Sequence, residues 1–256
     1  MNRFEKFEPA DILKPYIKYF VVSEDERSGS YKVLPDTSLV MGFQYKGKLS
    51  ITSGAQPGSL SSYGVTGLQD QYRIFKSSDN TGSILVYFNE MGASYFFRNP
   101  VNELFSESIS LDNFVCQSRL NQVHEQLCEA HSDMQRIVIV EKILVSLLKY
   151  TDTDVLVKNA LKLIYASKGN IRMRQLAGQL HTSQSPFEKR FRSVVGASPK
   201  KFASIVRFQS VINEISPTES LTETAYKLGF YDQAHFIKDF KQFSGDTPKD
   251  FRSKEK

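Results

Sequence analysis

The chain has 256 residues, 40% hydrophobic and 24% charged, with 33 Lys and Arg against 28 Asp and Glu for a formal net charge of +5. Those fractions supply apolar side chains for one large or two modest globular domains and exclude disorder as the main state. No apolar run approaches the roughly 18–20 residues that cross a bilayer, and the start Met1-Asn2-Arg3-Phe4-Glu5-Lys6 shows no secretory leader. Cys116 and Cys128 are too few for a disulfide scaffold, so a cytoplasmic chain with no membrane partner is expected.

Residues up to about 115 read as β-rich, short strands with frequent turns that fit either a barrel or a sandwich. The β-branched and aromatic runs 16–22 and 83–88 have strand length, 38–45 and 72–75 are shorter strands, and the Gly/Ser-dense stretch 52–67 reads as loops or hairpin turns. Tyr16, Tyr19, Phe20, Phe43, Tyr45, Tyr72, Phe75, Tyr87 and Phe88 are expected mostly in the core, with a few facing a cavity. Near residue 115 the period changes to helical over 118–128 and 135–149. There Ile137, Val140, Ile143, Leu144, Leu147 and Leu148 form one stripe, fit either for a dimer face or for burial against the strands. The polar stretch Thr151-Asp152-Thr153-Asp154 marks a boundary between a domain over 1–150 and a wholly helical one over 155–256.

Charge divides in the same way. Residues 168–256 hold 16 basic and 9 acidic residues, and the remainder is slightly acidic, as for a polyanion-binding module joined to a neutral one. The basic tail also contains a repeat. Leu176-Ala177-x-x-Leu180 recurs as Thr224-Ala225-x-x-Leu228, and Phe187-x-x-x-Phe191 as Phe236-x-x-x-Phe240, at offsets of 48 and 49 residues.

Each copy fits a helix, a tight turn and a second helix. The close crossing needs a small residue, Ala177 or Ala225, and the turn needs positive φ, supplied by Gly229 in one copy and at some cost by His181 in the other. Ser183 and Asp232 are the expected caps of the second helices. The phenylalanine pairs face inward. Gln184, Ser185, Glu188, Lys189 and Arg192 then face outward in the first copy, and Gln233, His235, Lys238 and Lys241 in the second. Glu188 either accepts from a base or pairs with Arg192 one turn on. A helix beginning at Ser198-Pro199 and running to Ile215 joins the copies and sets their spacing.

The tail resembles the DNA-binding domain of AraC/XylS-type transcription regulators. The matching residues are Leu176-Ala177, Phe191, Gly196-x-Ser198-Pro199-x-x-Phe202 and Arg207, then Ala225-x-x-Leu228-Gly229-Phe230-x-Asp232-Gln233, Phe236, Phe240-Lys241 and Gly245-x-Thr247-Pro248-x-x-Phe251-Arg252. Leu34-Pro35-Asp36 and Phe97-x-x-Pro100-x-x-Glu103-Leu104 are similar, more weakly, to sensor domains found ahead of such tails. The resemblance implies an α+β protein: an N-terminal β-rich barrel or cupin-like domain with two helices, and a C-terminal all-α tandem helix-turn-helix domain. It implies a sequence-specific regulator, commonly an activator, that binds double-stranded DNA. RNA polymerase, a small-molecule effector and a second copy of the chain are the other expected partners. The alternative is a ligand-binding or protein-interaction protein with a degenerate helix-turn-helix pair.

Base contacts are expected from Gln184, Ser185, Glu188, Lys189, Gln233, Ala234, His235 and Lys238, and phosphate contacts from Arg192, Lys200, Lys201, Lys241, Thr247 and Lys249. Ala177, Phe187, Phe191, Pro199, Arg207, Ala225, Gly229, Phe236, Phe240 and Pro248 are expected as scaffold, with Arg207 in a salt bridge. No metal, cofactor or catalysis is expected. His124 and His131 lie about 10 Å apart along a helix, too far for one tetrahedral ion, and G-x-S-x-G, a Gly-rich phosphate loop and H-E-x-x-H do not occur.

Overall fold

The structure is a computed structural model describing residues 3–53, 57–214 and 233–254. Its strands are β1 (Arg3–Phe7), β2 (Ile17–Asp25), β3 (Gly29–Val33), β4 (Val40–Lys46), β5 (Leu49–Ile51), β6 (Gly58–Ser59), β7 (Tyr63–Thr66), β8 (Arg73–Ser77), β9 (Thr81–Phe88) and β10 (Ser108–Ser110). They pair antiparallel in two sheets, ordered β1-β2-β9-β4-β7-β10 and β3-β8-β5-β6. Among the described residues no pairing joins the sheets into a ring, so of the barrel and the sandwich that the strands allow, the structure has two open sheets. The stretch 52–67, expected as loops, contributes β7, which sits between β4 and β10 in the larger sheet.

Register assigns the two faces of that sheet. Val22, Ile84 and Phe43 lie opposite one another, as do Phe20, Val86 and Met41, and all six are buried in one core. Two helices cover this face: α1 (Gln117–Glu129) packs on β4, and α2 (Asp133–Leu147) on β9. The stripe Ile137, Val140, Ile143, Leu144 and Leu148 is buried there within its own chain, which removes it as a dimer face. Along the other face run Ser23-Ser83-Gln44 and Tyr87-Val40-Thr66-Ser108, turned toward the smaller sheet.

The remaining described helices are α3 (Val155–Ala166), α4 (Met173–Gln179), α5 (Gln184–Val195), α6 (Pro199–Glu214), α7 (Gln233–Ser244) and α8 (Pro248–Lys254). Asp154 begins this series: one carboxylate oxygen accepts from the Val157 amide at 3.1 Å, capping α3, and the other pairs with Arg190 on α5. No described helix is long and apolar enough to cross a membrane.

Apolar burial falls into two clusters. The larger runs from the sheet through α1–α3 into Leu176, Phe187, Phe191, Val195 and Phe202. The smaller comprises Ile205, Phe208, Val211, Phe236, Phe240 and Phe243, with Leu34, Ile212 and Phe251 packed against it.

Candidate nucleic-acid interface

The first unit is α4, a turn and α5. Ala177 is 5% exposed where the helices meet, and the turn carries His181 at φ 50°, so histidine adopts the left-handed conformation usually left to glycine. Ser183 occupies the cap position of α5 without a side-chain capping bond. Phe187 and Phe191 are buried four apart with rings 5.8 Å from each other, and Phe191 meets Phe202 of α6 at the same distance. With that stripe fixed inward, the helical period turns Gln184, Ser185, Lys189 and Arg192 to solvent. Glu188 is half-buried, accepts from the Gln184 amide at 2.8 Å and faces Arg192 at 3.9 Å.

Among the described residues of the second copy, α7 repeats the inward phenylalanine pair. Phe236 and Phe240 are buried with rings 5.9 Å apart, while Ala234, Lys238 and Lys241 are exposed. Ile237 is 37% exposed between them, an apolar member of the outward face that a pattern of polar side chains does not mark. Ala225, Gly229 and Asp232 lie outside the described residues, as do the side chains of Gln233 and His235.

Helix α6 joins the units. Pro199 opens it, buried, and the Ser198 hydroxyl caps it by accepting from the Lys201 amide at 3.2 Å. Arg207, half-buried on α6, faces Asp239 of α7 at 3.9 Å and so ties the connecting helix to the second unit. Lys200 and Lys249 are exposed near the starts of α6 and α8, and Pro248 is buried. Thr247 caps α8, accepting from the Asp250 amide at 3.2 Å and donating to its carboxylate at 2.6 Å.

Equivalent corners follow the two outward-facing helices. Gly196 (φ 96°) ends α5, and Gly245 (φ 77°) follows α7; both are left-handed, and neighbouring side chains leave no room for a Cβ at Gly245. Both corners meet the N-terminal region. A Cβ on Gly196 would stand 3.1 Å from Val101, and one on Gly245 would stand 2.6 Å from the Tyr72 ring. Lys201 beside the first corner pairs with Asp70 at 2.6 Å and lies 4.3 Å over the Phe105 ring. Lys32 pairs with Asp246 at the second corner at 2.6 Å.

Residues 176–254 match the helix-turn-helix domain family, and residues 5–110 match a domain of unknown function (DUF6597). The C-terminal part of the chain is therefore similar to a helix-turn-helix domain. The Msm operon regulatory protein of Streptococcus mutans is 28% identical over 155 residues, which cover 59% of this chain and 55% of that protein, so the chain spans about half the length of this curated relative. Over 91% of this chain and 96% of the other, the fold is similar to that of ToxT from Vibrio cholerae, with a TM-score of 0.50 and 13% identity.

Between the sheets lies a cavity of about 730 Å³, a volume in the range of small-molecule sites. Phe75 and Tyr87, two of the aromatics read from sequence, line it, together with hydroxyls of Ser23, Ser83 and Ser108. Ser83 is 2% exposed, and its Oγ has no hydrogen-bond partner. Desolvation raises the pKa of the Tyr87 phenol above its ordinary value. Among the described residues no cluster of three or more His, Cys, Asp or Glu could hold a metal ion.

Proposed function

We propose that the protein is a sequence-specific DNA-binding transcription regulator, an activator of cytoplasmic location, that inserts α5 and α7 into successive major grooves. One observation carries the reading: two helices in the part that matches the helix-turn-helix family each bury a phenylalanine pair and turn a basic face to solvent. Gln184, Ser185, Glu188 and Lys189 read bases on one helix, and Gln233, Ala234, His235 and Lys238 on the other. Ile237 packs on a thymine methyl. Arg192, Lys200, Lys201, Lys241, Thr247 and Lys249 take phosphates, and Lys201 must then leave Asp70. The protein is not an enzyme in this reading. The inter-sheet cavity, with the unpartnered Ser83 hydroxyl on its wall, takes a small-molecule effector, and RNA polymerase and a second copy of the chain are the remaining partners.

Duplex binding by the full chain, followed by fluorescence anisotropy across a salt series, tests this. The logarithm of the affinity should fall linearly with log salt, and duplexes selected from a random pool should share a two-part site. If no duplex is retained at low salt, the alternative of a ligand-binding or protein-interaction protein stands instead.

A further inference from the structure

Among the described residues that line the inter-sheet cavity, the charged side chains are Arg3, Asp25 and Lys32. Two of them spend their charge elsewhere. Arg3 pairs with Glu5, with Glu24 at 3.4 Å and with Asp133 at 2.5 Å. Lys32 pairs with Asp246 at 2.6 Å and donates to the Ser244 carbonyl at 2.9 Å. Asp25, half-buried at the end of β2, has neither an ion pair nor a side-chain hydrogen bond among the described residues. The wall it belongs to is aromatic. Tyr31 and Phe75 stand opposite each other across β3 and β8, with rings 5.8 Å apart and 13° from parallel, and Tyr87 lines the cavity from the larger sheet. Ser23 and Ser83 lie opposite each other in register, and Asp25 follows on the same face two residues, about 7 Å, farther along β2. Ser83 is buried, and its Oγ has no partner. An unneutralised carboxylate beside aromatic faces attracts a cation and repels an anion, and a buried hydroxyl with nothing bonded to it costs free energy until a ligand atom meets it.

We propose that the cavity takes a protonated amine on an apolar body, its ammonium donating to Asp25 among Tyr31, Phe75 and Tyr87, and a hydroxyl or carbonyl of the same molecule meeting Ser83. This names the chemical class of the effector and rests on the reading of the cavity given above. The apolar body follows from the rest of the wall, where Val40, Leu49, Val65 and Leu85 offer no polar side-chain atom.

The test titrates the full chain, without DNA, with three probes that share a phenol ring: tyramine, which carries an ammonium, its neutral alcohol analogue tyrosol, and the carboxylate hydroxyphenylpropanoate. Amide NMR shifts report binding and its place. Tyramine should bind at least about tenfold tighter than the other two, the scale of one hydrogen bond to a charged group, and should move the amides of residues 23–25 and 81–83. Asp25→Asn should abolish that preference and leave the affinity for tyrosol unchanged. Equal or tighter binding of tyrosol or of the carboxylate at those amides, or a preference that survives Asp25→Asn, overturns the amine assignment and leaves the cavity as a small-molecule site. If none of the three moves those amides, the amine assignment is overturned as well, while DNA binding is judged apart from it by the salt series.

Discussion

Truncating Phe240 to alanine tests whether the second unit stands on a core of its own. Phe240 is 2% exposed, with ring centroids of Phe208, Phe236 and Phe251 at 5.4, 5.9 and 5.4 Å. Burying a phenylalanine contributes about 1.5–3 kcal/mol, and the cavity left by truncation raises the cost of Phe→Ala to about 3–5 kcal/mol. Among the described residues the smaller cluster contains six buried side chains, so this loss removes much of what holds it. Unfolding should then be local. In hydrogen exchange of Phe240→Ala, α7 should lose protection while β2, β4, β9 and α5 keep theirs, and urea titration should show an early phase ahead of the main one. Phe191→Ala, in the larger cluster, should shift the main transition by a similar cost. A single transition for Phe240→Ala, with exchange accelerated uniformly along the chain, would refute the division into two cores.

Three further outcomes are expected. Lys189→Ala and Lys238→Ala should each alter preference at particular base pairs by about 1–3 kcal/mol in competitive binding to site libraries, and a uniform loss over all sequences would make them phosphate contacts. Burial works to raise the Glu90 pKa, but Lys18 at 2.9 Å and the Tyr165 hydroxyl, donating at 2.7 Å, outweigh it and hold the carboxyl below its ordinary value. Such a group stabilises while ionised and loses that contribution as pH falls, so Glu90→Gln should flatten the decline in Tm between about pH 5 and pH 3, and parallel declines would remove the cluster from the stability account. Ser83→Ala deletes a buried hydroxyl without a partner and should raise unfolding free energy by up to about 1 kcal/mol in urea titration; a clear loss would show that the hydroxyl is hydrogen-bonded.

The strands most legible in the sequence, β2, β4 and β9, bury one face against helices and carry apolar runs for that reason. β1 and β3 pair at sheet edges; with residues such as Arg3-Phe4-Glu5-Lys6-Phe7 and an entirely exposed β3, they carry no such run. β7 was hidden by Gly64 and its serine-rich surroundings. In the tail, the repeat identified the outward faces of α5 and α7 because helical period ties each exposed residue to a buried phenylalanine four residues from its twin. The partners of Lys32 lie more than 200 residues along the chain, beyond the reach of any local pattern. The fate of the α2 stripe was open for a related reason: periodicity identifies an apolar face and says nothing of what covers it.

The shared core of the first unit bears on how the protein can be divided. A fragment cut before α3 would take Val195, Gly196 and Ala197 out from under Leu39 and Val101 and leave a raw greasy scar beside its first reader. Such a piece should clump at working concentrations, and a soluble fragment capable of docking one groove would have to retain the floor that those two residues supply.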